Sequence, residues 1–436
     1  MISIDGMRPD YVTHADEHGL KIPTLRRFMA EGSYADGVRG VFPTVTYPSH
    51  TTLVTGVWPA THGILNNQVF DPEQHFAGAW YWYADSMKVQ TLWQAAHAAG
   101  IRTASVSWPV TVDADAIDDN LPEYWRSDVT GAHADPRERF LMNAVSRPSG
   151  SLKAMQARLG PYMPGNDTTI EGDRIRTRFA VDILRRNHPG FMTVHLSSLD
   201  EEEHIHAPFS PEANADLEAL DGLVHDLTVA ERDANPAATV VVVSDHGFAP
   251  IHDAVNLYIP FLHAGLITAG KPAPGSFSPA ITAWKAEPWL ASGMAAIVLH
   301  DPADVATRTE VKQLLESLQA DPANGIARIL TAEEARHRGA FPDAAFLVLL
   351  KPGFYTGAAV TGPLLTPTPG RGTHGYAADD PQMYASFFAI GPDIAQHQDL
   401  GLIDMRQIAP TVAGLLGVEL PEAEGKPLSL HSKADR

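Results

Sequence analysis

The chain contains no cysteine, which excludes disulfides, thiolate catalysis, cysteine-based zinc sites and iron–sulfur clusters. It also lacks any apolar run of about 18 residues, so no segment is predicted to span a membrane. Positive charge is scarce, with 32 Lys and Arg against 52 Asp and Glu, and the formal net charge is −20. This charge repels nucleic-acid polymers and anionic membranes, so neither is expected as a partner. An anionic substrate therefore needs local positive charge, which bound metal ions can supply.

The N-terminal sequence MISIDGMRPD has no basic segment followed by an apolar stretch, so no signal peptide is expected in this chain. Residues 2–4 are typical of the end of a β-strand, and few residues precede them. We therefore expect the gene product to extend further upstream.

The 436 residues alternate between helical segments and apolar, β-branched runs. Helix–strand pairs are predicted over 91–109, 174–197 and 217–247, and a closing helix is predicted to begin near Ile408. This alternation indicates an α/β protein with a mostly parallel central sheet sandwiched by helices.

The composition changes between about residues 251 and 370, where Pro, Gly and Ala become frequent and short strands surround one helix. We predict a small inserted subdomain over 251–370. The α/β catalytic core is then formed by residues 1–250 and 371–436.

Several polar residues follow predicted strands directly. Asp5 follows the first strand, Asp200 follows the strand ending near Ser198, and Asp245 with His246 follows a run of four valines. Open α/β sheets bind their ligands at the carboxyl ends of strands, so these side chains are expected to lie close together. A turn in which Asp245 accepts backbone N–H groups is the alternative for that pair.

Asp200 and His204 are four residues apart, so one helical turn places both on one face, as two ligands of one metal require. His206 is a weaker candidate because its spacing from Asp200 does not match that face. The residues between the pair, Glu201 to Glu203, are predicted to form a solvated face.

The segment FPTVTYPSHTTLVTG offers several hydroxyls as candidate nucleophiles: Thr44, Thr46, Ser49, Thr51 and Thr52. A hydroxyl attacks well only when a base or a metal activates it. Without the other motifs, a threonine-rich turn that caps a helix is the favoured interpretation of this segment. His50, on the helix that follows, is expected to be a core histidine or to support a metal ligand.

Taken in order, these strings resemble the alkaline phosphatase superfamily and, within it, the nucleotide pyrophosphatase/phosphodiesterase family. The resemblance runs from residue 2 to about 420 and rests on IDGMRPDY, FPTVTYPSHTTLVTG, WPATHGILNN, LDEEEHIHAP, VVVVSDHGF, GTHGY and IAPTVAGLLG. It implies an alkaline-phosphatase-like fold and a hydrolase that cleaves phosphodiester or pyrophosphate bonds of nucleotides or related small diesters.

The resemblance also implies two zinc ions, although the ligand types also suit other divalent metals. One ion would be bound by Asp200, His204 and His374. The other would be bound by Asp5, Asp245, His246 and the hydroxyl oxygen of Thr46, the implied nucleophile, which would form a phosphothreonyl intermediate.

Two further residues concern the substrate. The resemblance assigns Asn67 to a non-bridging phosphoryl oxygen beside the backbone N–H of Thr46, with Asn66 as the adjacent alternative. The ring of Tyr47 is predicted to stack on a nucleobase or another apolar ester group. Packing of Tyr47 in the core is the alternative.

Other activities of the superfamily are less consistent with these residues. A sulfatase requires a modified Cys or Ser at the nucleophile position, whereas this chain has Thr46. A phosphomonoesterase usually has Arg or Lys near the nucleophile, and the segment around Thr46 contains neither. Phosphonoacetate hydrolase, which cleaves a carbon–phosphorus bond with a threonine nucleophile, stays the nearest enzymatic alternative. A non-catalytic metal-binding module is the alternative from another class.

Members of the family are often exported, but these residues do not indicate a compartment for this chain.

Overall fold

The computed structural model describes residues 1–73, 75–76, 79–126, 136–271 and 280–431. The strands, in chain order, are β1 (Ile2–Ile4), β2 (Ser33–Tyr34), β3 (Gly37–Arg39), β4 (Thr103–Val106), β5 (Asp119–Leu121), β6 (Phe191–Leu196), β7 (Val240–Val243), β8 (Ala249–Asn256), β9 (Ile267–Ala269), β10 (Ile281–Trp284), β11 (Ala286–Ala291), β12 (Met294–Leu299), β13 (Ile326–Thr331), β14 (Ala344–Leu350), β15 (Gly353–Gly357), β16 (Leu365–Thr373), β17 (Phe387–Ile390), β18 (Gln398–Asp399) and β19 (Leu402–Asp404).

The helices that accompany these strands are α1 (Asp10–Thr13), α2 (Ala15–His18), α3 (Pro23–Glu31), α4 (Thr46–Thr55), α5 (Pro59–His62), α6 (Leu92–Ala98), α7 (Pro136–Val145), α8 (Ser151–Leu159), α9 (Ile170–Asn187), α10 (Ser198–His206), α11 (Pro211–Ala234), α12 (Tyr258–His263), α13 (Val305–Gln319), α14 (Ala332–His337) and α15 (Ile408–Leu416). Among the described residues, no helix combines the length and the apolar character needed to cross a membrane.

The main sheet has the strand order β18-β2-β17-β7-β1-β6-β4-β5. Its centre, from β7 to β5, is parallel, and β17 pairs antiparallel with both β7 and β2. The expectation of an α/β protein with a mostly parallel central sheet is therefore confirmed.

The four valines of β7 show how the sheet is covered on both faces. Val240 and Val242 belong to the core cluster that includes side chains of α3, α9 and α11. Val241 and Val243 belong to the opposite cluster, which includes side chains of α4, α6 and α15. Successive side chains of a strand point to opposite faces, so a continuous apolar run is what a two-sided parallel sheet requires.

A second sheet, of order β11-β12-β14-β13, is built from chain between Ala286 and Leu350 and packs on its own apolar clusters. A third sheet, β15-β8-β16, ends at Thr373. It delivers the following residue, His374, towards the carboxyl ends of the main sheet. The boundaries predicted for the inserted subdomain, 251 and 370, both fall inside strands of this third sheet, β8 and β16; the division into core and insert stays a prediction.

Candidate metal centre

Three carboxylates lie at the carboxyl ends of adjacent parallel strands. Asp5 directly follows β1, Asp200 lies in the first turn of α10 after β6, and Asp245 lies two residues beyond β7. Because β7, β1 and β6 are neighbours in the sheet, these side chains meet at one edge. This is the edge where open α/β sheets bind ligands.

The first candidate metal group consists of Asp200, His204 and His374, whose ligand atoms all lie within 4.8 Å of one another. His204 Nε2 is 3.5 Å from Asp200 Oδ2, and His374 Nε2 is 3.7 Å from Asp200 Oδ1. Asp200 and His204 share one face of α10, as their four-residue spacing predicts. The set of one carboxylate and two imidazoles suits a divalent transition metal.

The second group consists of Asp5, Asp245 and His246, also within 4.8 Å of one another. His246 Nε2 is 3.1 Å from Asp245 Oδ2 and 3.4 Å from Asp5 Oδ1. The rings of His246 and His374 stack with centroids 3.7 Å apart, so the two groups adjoin.

The ring orientation of each histidine is fixed by a backbone carbonyl. The Nδ1 atoms of His204, His374 and His246 lie 3.1, 2.9 and 3.2 Å from the carbonyl oxygens of Gly372, Thr44 and Gly247. A carbonyl only accepts, so each Nδ1 carries the proton and each Nε2 offers its lone pair to its group.

Within the described residues, four inward-facing atoms of these groups are buried without a hydrogen-bond partner: Asp5 Oδ1, Asp200 Oδ1, Asp245 Oδ2 and His246 Nε2. Buried acceptors without a donor are costly. A cation at each group would satisfy them together. The residues present therefore fit two metal ions.

The pKa shifts of these residues also agree with two bound metal ions. Burial, with the charge of Asp200 as the next cause, raises the pKa of Asp5 well above its usual value. Burial, followed by the charge of Asp5, also raises the pKa of Asp245 well above its usual value. Burial lowers the pKa of His374 to about 3, which keeps its imidazole neutral and able to ligate. Bound cations would favour the ionised carboxylates.

Thr46 begins α4, after Val45 in extended conformation. Of the neighbouring hydroxyls, those of Thr44, Thr51 and Thr52 donate to backbone carbonyls: Tyr376, Tyr47 and Val57. Ser49 is fully enclosed, whereas Thr46 keeps 9% of its surface exposed. Thr46 is therefore the hydroxyl of this segment best placed to meet a ligand.

His50 connects the start of α4 to the second metal group. Its Nδ1 is 2.9 Å from the carbonyl oxygen of Thr46 and 3.5 Å from Asp245 Oδ2, and its Nε2 is 2.9 Å from the Ser3 hydroxyl. This buried histidine fixes the position of Thr46 relative to Asp245. It supports the site without belonging to either metal group.

Asn67 lies beside the same helix start. Its Oδ1 accepts the N–H of Tyr47 at 2.8 Å, which leaves the amide nitrogen as the donor of that side chain. Asn66 instead donates to the carbonyl of Leu290 and accepts the N–H of Asn67. Of the two asparagines, Asn67 is therefore the one placed against α4.

Residues 1–377 match the family model described as type I phosphodiesterase/nucleotide pyrophosphatase. The chain belongs to this family. Ectonucleotide pyrophosphatase/phosphodiesterase family member 1 of Rattus norvegicus is 26% identical over 260 residues, which are 57% of this chain and 23% of that protein. An uncharacterised pyrophosphatase/phosphodiesterase of Schizosaccharomyces pombe is 24% identical over 266 residues, 58% of this chain and 45% of that protein. The match thus covers less than half the length of each of these relatives.

Solved structures of the family share the fold. Human ectonucleotide pyrophosphatase/phosphodiesterase 5 matches with a TM-score of 0.65 and 17% identity, over 98% of this chain and 96% of that one. The murine form, in an inactive variant in complex with AMP, matches with a TM-score of 0.67, 17% identity and the same coverage. The alkaline-phosphatase-like fold implied by the sequence motifs is confirmed.

The prediction that Tyr47 offers a stacking surface is wrong for this family member. The ring is completely buried, lies 5.1 Å from the ring of Trp80, and donates its hydroxyl to Glu123 at 2.8 Å. A ring without exposed surface cannot stack on a ligand. Tyr47 follows the first residue of α4 and points into the aromatic packing beside it, as the core alternative describes.

The solvated face predicted for Glu201 to Glu203 is also wrong in part. Glu203 is completely buried and accepts the Tyr11 hydroxyl at 2.8 Å, because α10 turns this position towards the α1 segment. His206, the weaker ligand candidate, lies outside both metal groups and is 3.6 Å from Glu202.

His195 and Glu123 are site residues that the sequence motifs did not reveal. His195 Nε2 is 2.9 Å from Asp5 Oδ2, and its Nδ1 is 3.2 Å from Glu123 Oε2. One signal was present: His195 is an imidazole near the end of the mostly apolar strand β6, FMTVHL. A buried histidine in a central strand requires a polar partner.

Proposed function

We propose that this protein hydrolyses phosphodiester or pyrophosphate bonds of nucleotides or related small diesters, with Thr46 as the nucleophile. The observation that supports this most strongly is the pair of adjoining metal groups beside a helix start that presents one accessible hydroxyl. Family membership supports the same reaction class. The inactive murine relative carries a threonine-to-alanine change and binds AMP, which supports a threonine nucleophile and a nucleotide substrate.

Two zinc ions fit the donor set. One would be bound by Asp200, His204 and His374, and the other by Asp5, Asp245, His246 and Thr46. When bound, such ions lower the pKa of a coordinated hydroxyl and stabilise negative charge on attacking and leaving oxygens.

In the proposed reaction, Thr46 Oγ1 forms a bond to phosphorus while the bond to the leaving oxygen breaks. The threonine proton passes to solvent and the departing alkoxide takes one up. Water then cleaves the phosphothreonyl diester, which restores the hydroxyl and releases the phosphomonoester. Thr46, whose position is fixed through His50, is thus the nucleophile of the first step and the leaving group of the second.

Asn67 and the first turn of α4 would bind the non-bridging oxygens. The amide nitrogen of Asn67 and the backbone N–H of Thr46 are the donors, since the Tyr47 N–H is already donated to Asn67 Oδ1, and the helix dipole favours negative charge there. Donors held in place before the reaction stabilise the charge that develops on phosphorus-bound oxygen.

The proposed substrate is a small molecule. A net charge of −20 disfavours a nucleic-acid polymer, whereas the metal groups supply positive charge locally. The first turn of α4 contains Tyr47 and Pro48 and no Lys or Arg, which favours a diester over a phosphomonoester.

The test is the hydrolysis of bis-p-nitrophenyl phosphate, compared with p-nitrophenyl phosphate and a phosphonate. We expect the wild type to prefer the diester, and Thr46→Ala to lose at least about 1000-fold in kcat because it removes the nucleophile. Ser49→Ala is the matched control, because it removes an enclosed hydroxyl of the same helix. Wild-type turnover by Thr46→Ala, or a preference for the monoester, would contradict the proposal.

A further inference from the structure

The segment 107–113, which follows β4, contains a concentration of left-handed backbone. Ser107, Val110 and Asp113 have φ values of 55°, 59° and 59°. They are three of the eight non-glycine residues with positive φ in the described part of the chain. This conformation is unfavourable for residues with a Cβ atom, most of all for a β-branched residue such as valine. It persists only where the surrounding structure enforces it, and such residues cluster at functional sites.

Hydrogen bonds hold this segment at both ends. The Ser107 N–H donates to the carbonyl of Leu121 at 2.7 Å, and the Ser107 hydroxyl accepts Arg176 Nε at 3.0 Å. Near the other end, the Val112 N–H donates to the carbonyl of Trp82 at 3.0 Å. The segment is therefore fixed to three parts of the fold and can serve as a rigid support.

Trp108 contacts the histidine that fixes Thr46. The Trp108 ring is completely buried and meets the ring of His50 edge-on, with centroids 4.8 Å apart and an interplanar angle of 83°. His50 lies with Nδ1 at the carbonyl of Thr46 and with Nε2 at the Ser3 hydroxyl. These two hydrogen bonds restrain the imidazole within its own plane, whereas the packed indole restrains its tilt.

The same segment contacts two further residues of the site. The carbonyl oxygen of Ser107 lies 3.1 Å from Nδ1 of His195, whose other ring nitrogen faces Asp5. Val110 belongs to the buried cluster that contains Tyr47, the second residue of α4. One strained segment thus supports both the proposed nucleophile and the second metal group.

We propose that the segment 107–113 is a positioning element of the reaction, in which Trp108 holds His50, and thereby Thr46, in the geometry of attack. Trp108 is a positioning residue, because it acts on the reacting hydroxyl only through His50. The inference rests on the proposed function, since it concerns the placement of the proposed nucleophile. A misplacement of about 1 Å can cost about 100-fold in rate, so this contact bears on kcat.

Trp93 provides a matched control, because it is a second buried tryptophan of the same apolar cluster. Neither indole N–H has a hydrogen-bond partner among the described residues, so replacing either ring removes packing alone. Within the described part of the chain, the Trp93 ring meets those of Trp108 and Phe191, at 6.2 and 6.4 Å, rather than that of His50.

We expect Trp108→Leu to lower kcat for bis-p-nitrophenyl phosphate by about 10- to 100-fold while KM stays within about twofold, because the groups that bind the substrate are retained. Trp93→Leu should keep kcat within about threefold of the wild type, although both variants lose stability through the cavity that each creates. Trp108→Phe, which keeps an aromatic ring beside His50, should recover most of the lost kcat. Zinc is kept saturating, so that metal loss does not contribute.

A double-mutant cycle with His50→Ala tests the route of the effect. In that background Trp108→Leu should lower kcat by less than about threefold, because the residue through which it acts is already absent. Equal kcat in Trp108→Leu and Trp93→Leu, or full additivity with His50→Ala, would overturn the inference.

Trp108→Met, which fills more of the space with a flexible side chain, replaces Trp108→Leu in these comparisons if the leucine variant does not fold. Wild-type protein that fails to hydrolyse the diester would contradict the proposed function itself. Hydrolysis that is no more sensitive to position 108 than to position 93 would contradict only this inference.

Discussion

His195 lies between two carboxylates, and both of its ring nitrogens face oxygen acceptors. Its Nε2 is 2.9 Å from Asp5 Oδ2, and its Nδ1 is 3.1 Å from the carbonyl of Ser107 and 3.2 Å from Glu123 Oε2. The chain Glu123–His195–Asp5 thereby links the Tyr47 hydroxyl to a candidate metal ligand. We interpret His195 as a positioning residue that orients Asp5.

We predict that His195→Ala weakens zinc binding at the second group by about 10- to 100-fold, because Asp5 loses its orienting partner. Zinc affinity at the first group should change little. Competition titration with a chromogenic chelator measures both sites. His225→Ala, an exposed histidine on α11, is the control. Unchanged affinity at both sites in His195→Ala would refute the positioning role.

At the scale of single residues, strand ends and helical spacing in the sequence indicated five candidate ligands: Asp5, Asp200, His204, Asp245 and His246. The metal-binding roles of His374 and Thr46 are implied only by the resemblance to the family. The neighbours of those ligands were harder to predict. Burial of Tyr47 and Glu203 depends on how α4 and α10 rotate against the rest of the fold, and local spacing does not determine that rotation. Glu123 follows β5, a three-residue strand without a clear pattern.

At the scale of elements, the start of α10 is held by one buried ion pair. Asp173 of α9 accepts the N–H groups of Ser197 and Ser198 at 3.0 and 2.9 Å, and it also pairs with Arg176. Both side chains of the pair are almost completely buried. The pair thereby fixes the turn from β6 into the helix that presents Asp200 and His204.

We predict that Asp173→Ala lowers the free energy of unfolding by roughly 3–5 kcal/mol, because it leaves the Arg176 charge buried and unpaired. Asp182→Ala, on the same helix, breaks ion pairs with the partly exposed Arg158 and Arg186 and should cost about 1 kcal/mol or less. Urea denaturation monitored by circular dichroism measures both. Equal losses in the two variants would contradict the role given to Asp173.

At this scale the sequence predicted helices and strands well where the apolar pattern is long. The closing helix was expected near Ile408 and begins there, and the helix of the 174–197 pair was expected at 174 and begins at Ile170. The antiparallel direction of β17 could not be predicted, because its paired residues are far apart in the chain: Phe388 pairs with Tyr34, 354 residues away, and Phe387 with Val243, 144 residues away. Local periodicity contains no information on such pairing.

At the scale of the whole molecule, two sheets cooperate to form the site. The main sheet provides Asp5, Asp200, Asp245 and His246 at its carboxyl edge, and the β15-β8-β16 sheet delivers His374. A chain of net charge −20 thus gathers three carboxylates with little nearby positive charge. We expect the bound cations to stabilise the fold as well as the reaction, since ligands that bind only the native state raise its stability.

The central claim, that these two adjoining groups hold two metal ions, is tested most directly by elemental analysis of the purified protein after equilibration with zinc. We predict two zinc ions per chain in the wild type, one in Asp200→Ala and one in Asp245→Ala, each with correspondingly reduced diester hydrolysis. One zinc ion or none in the wild type, or two in either variant, would contradict the two-metal site.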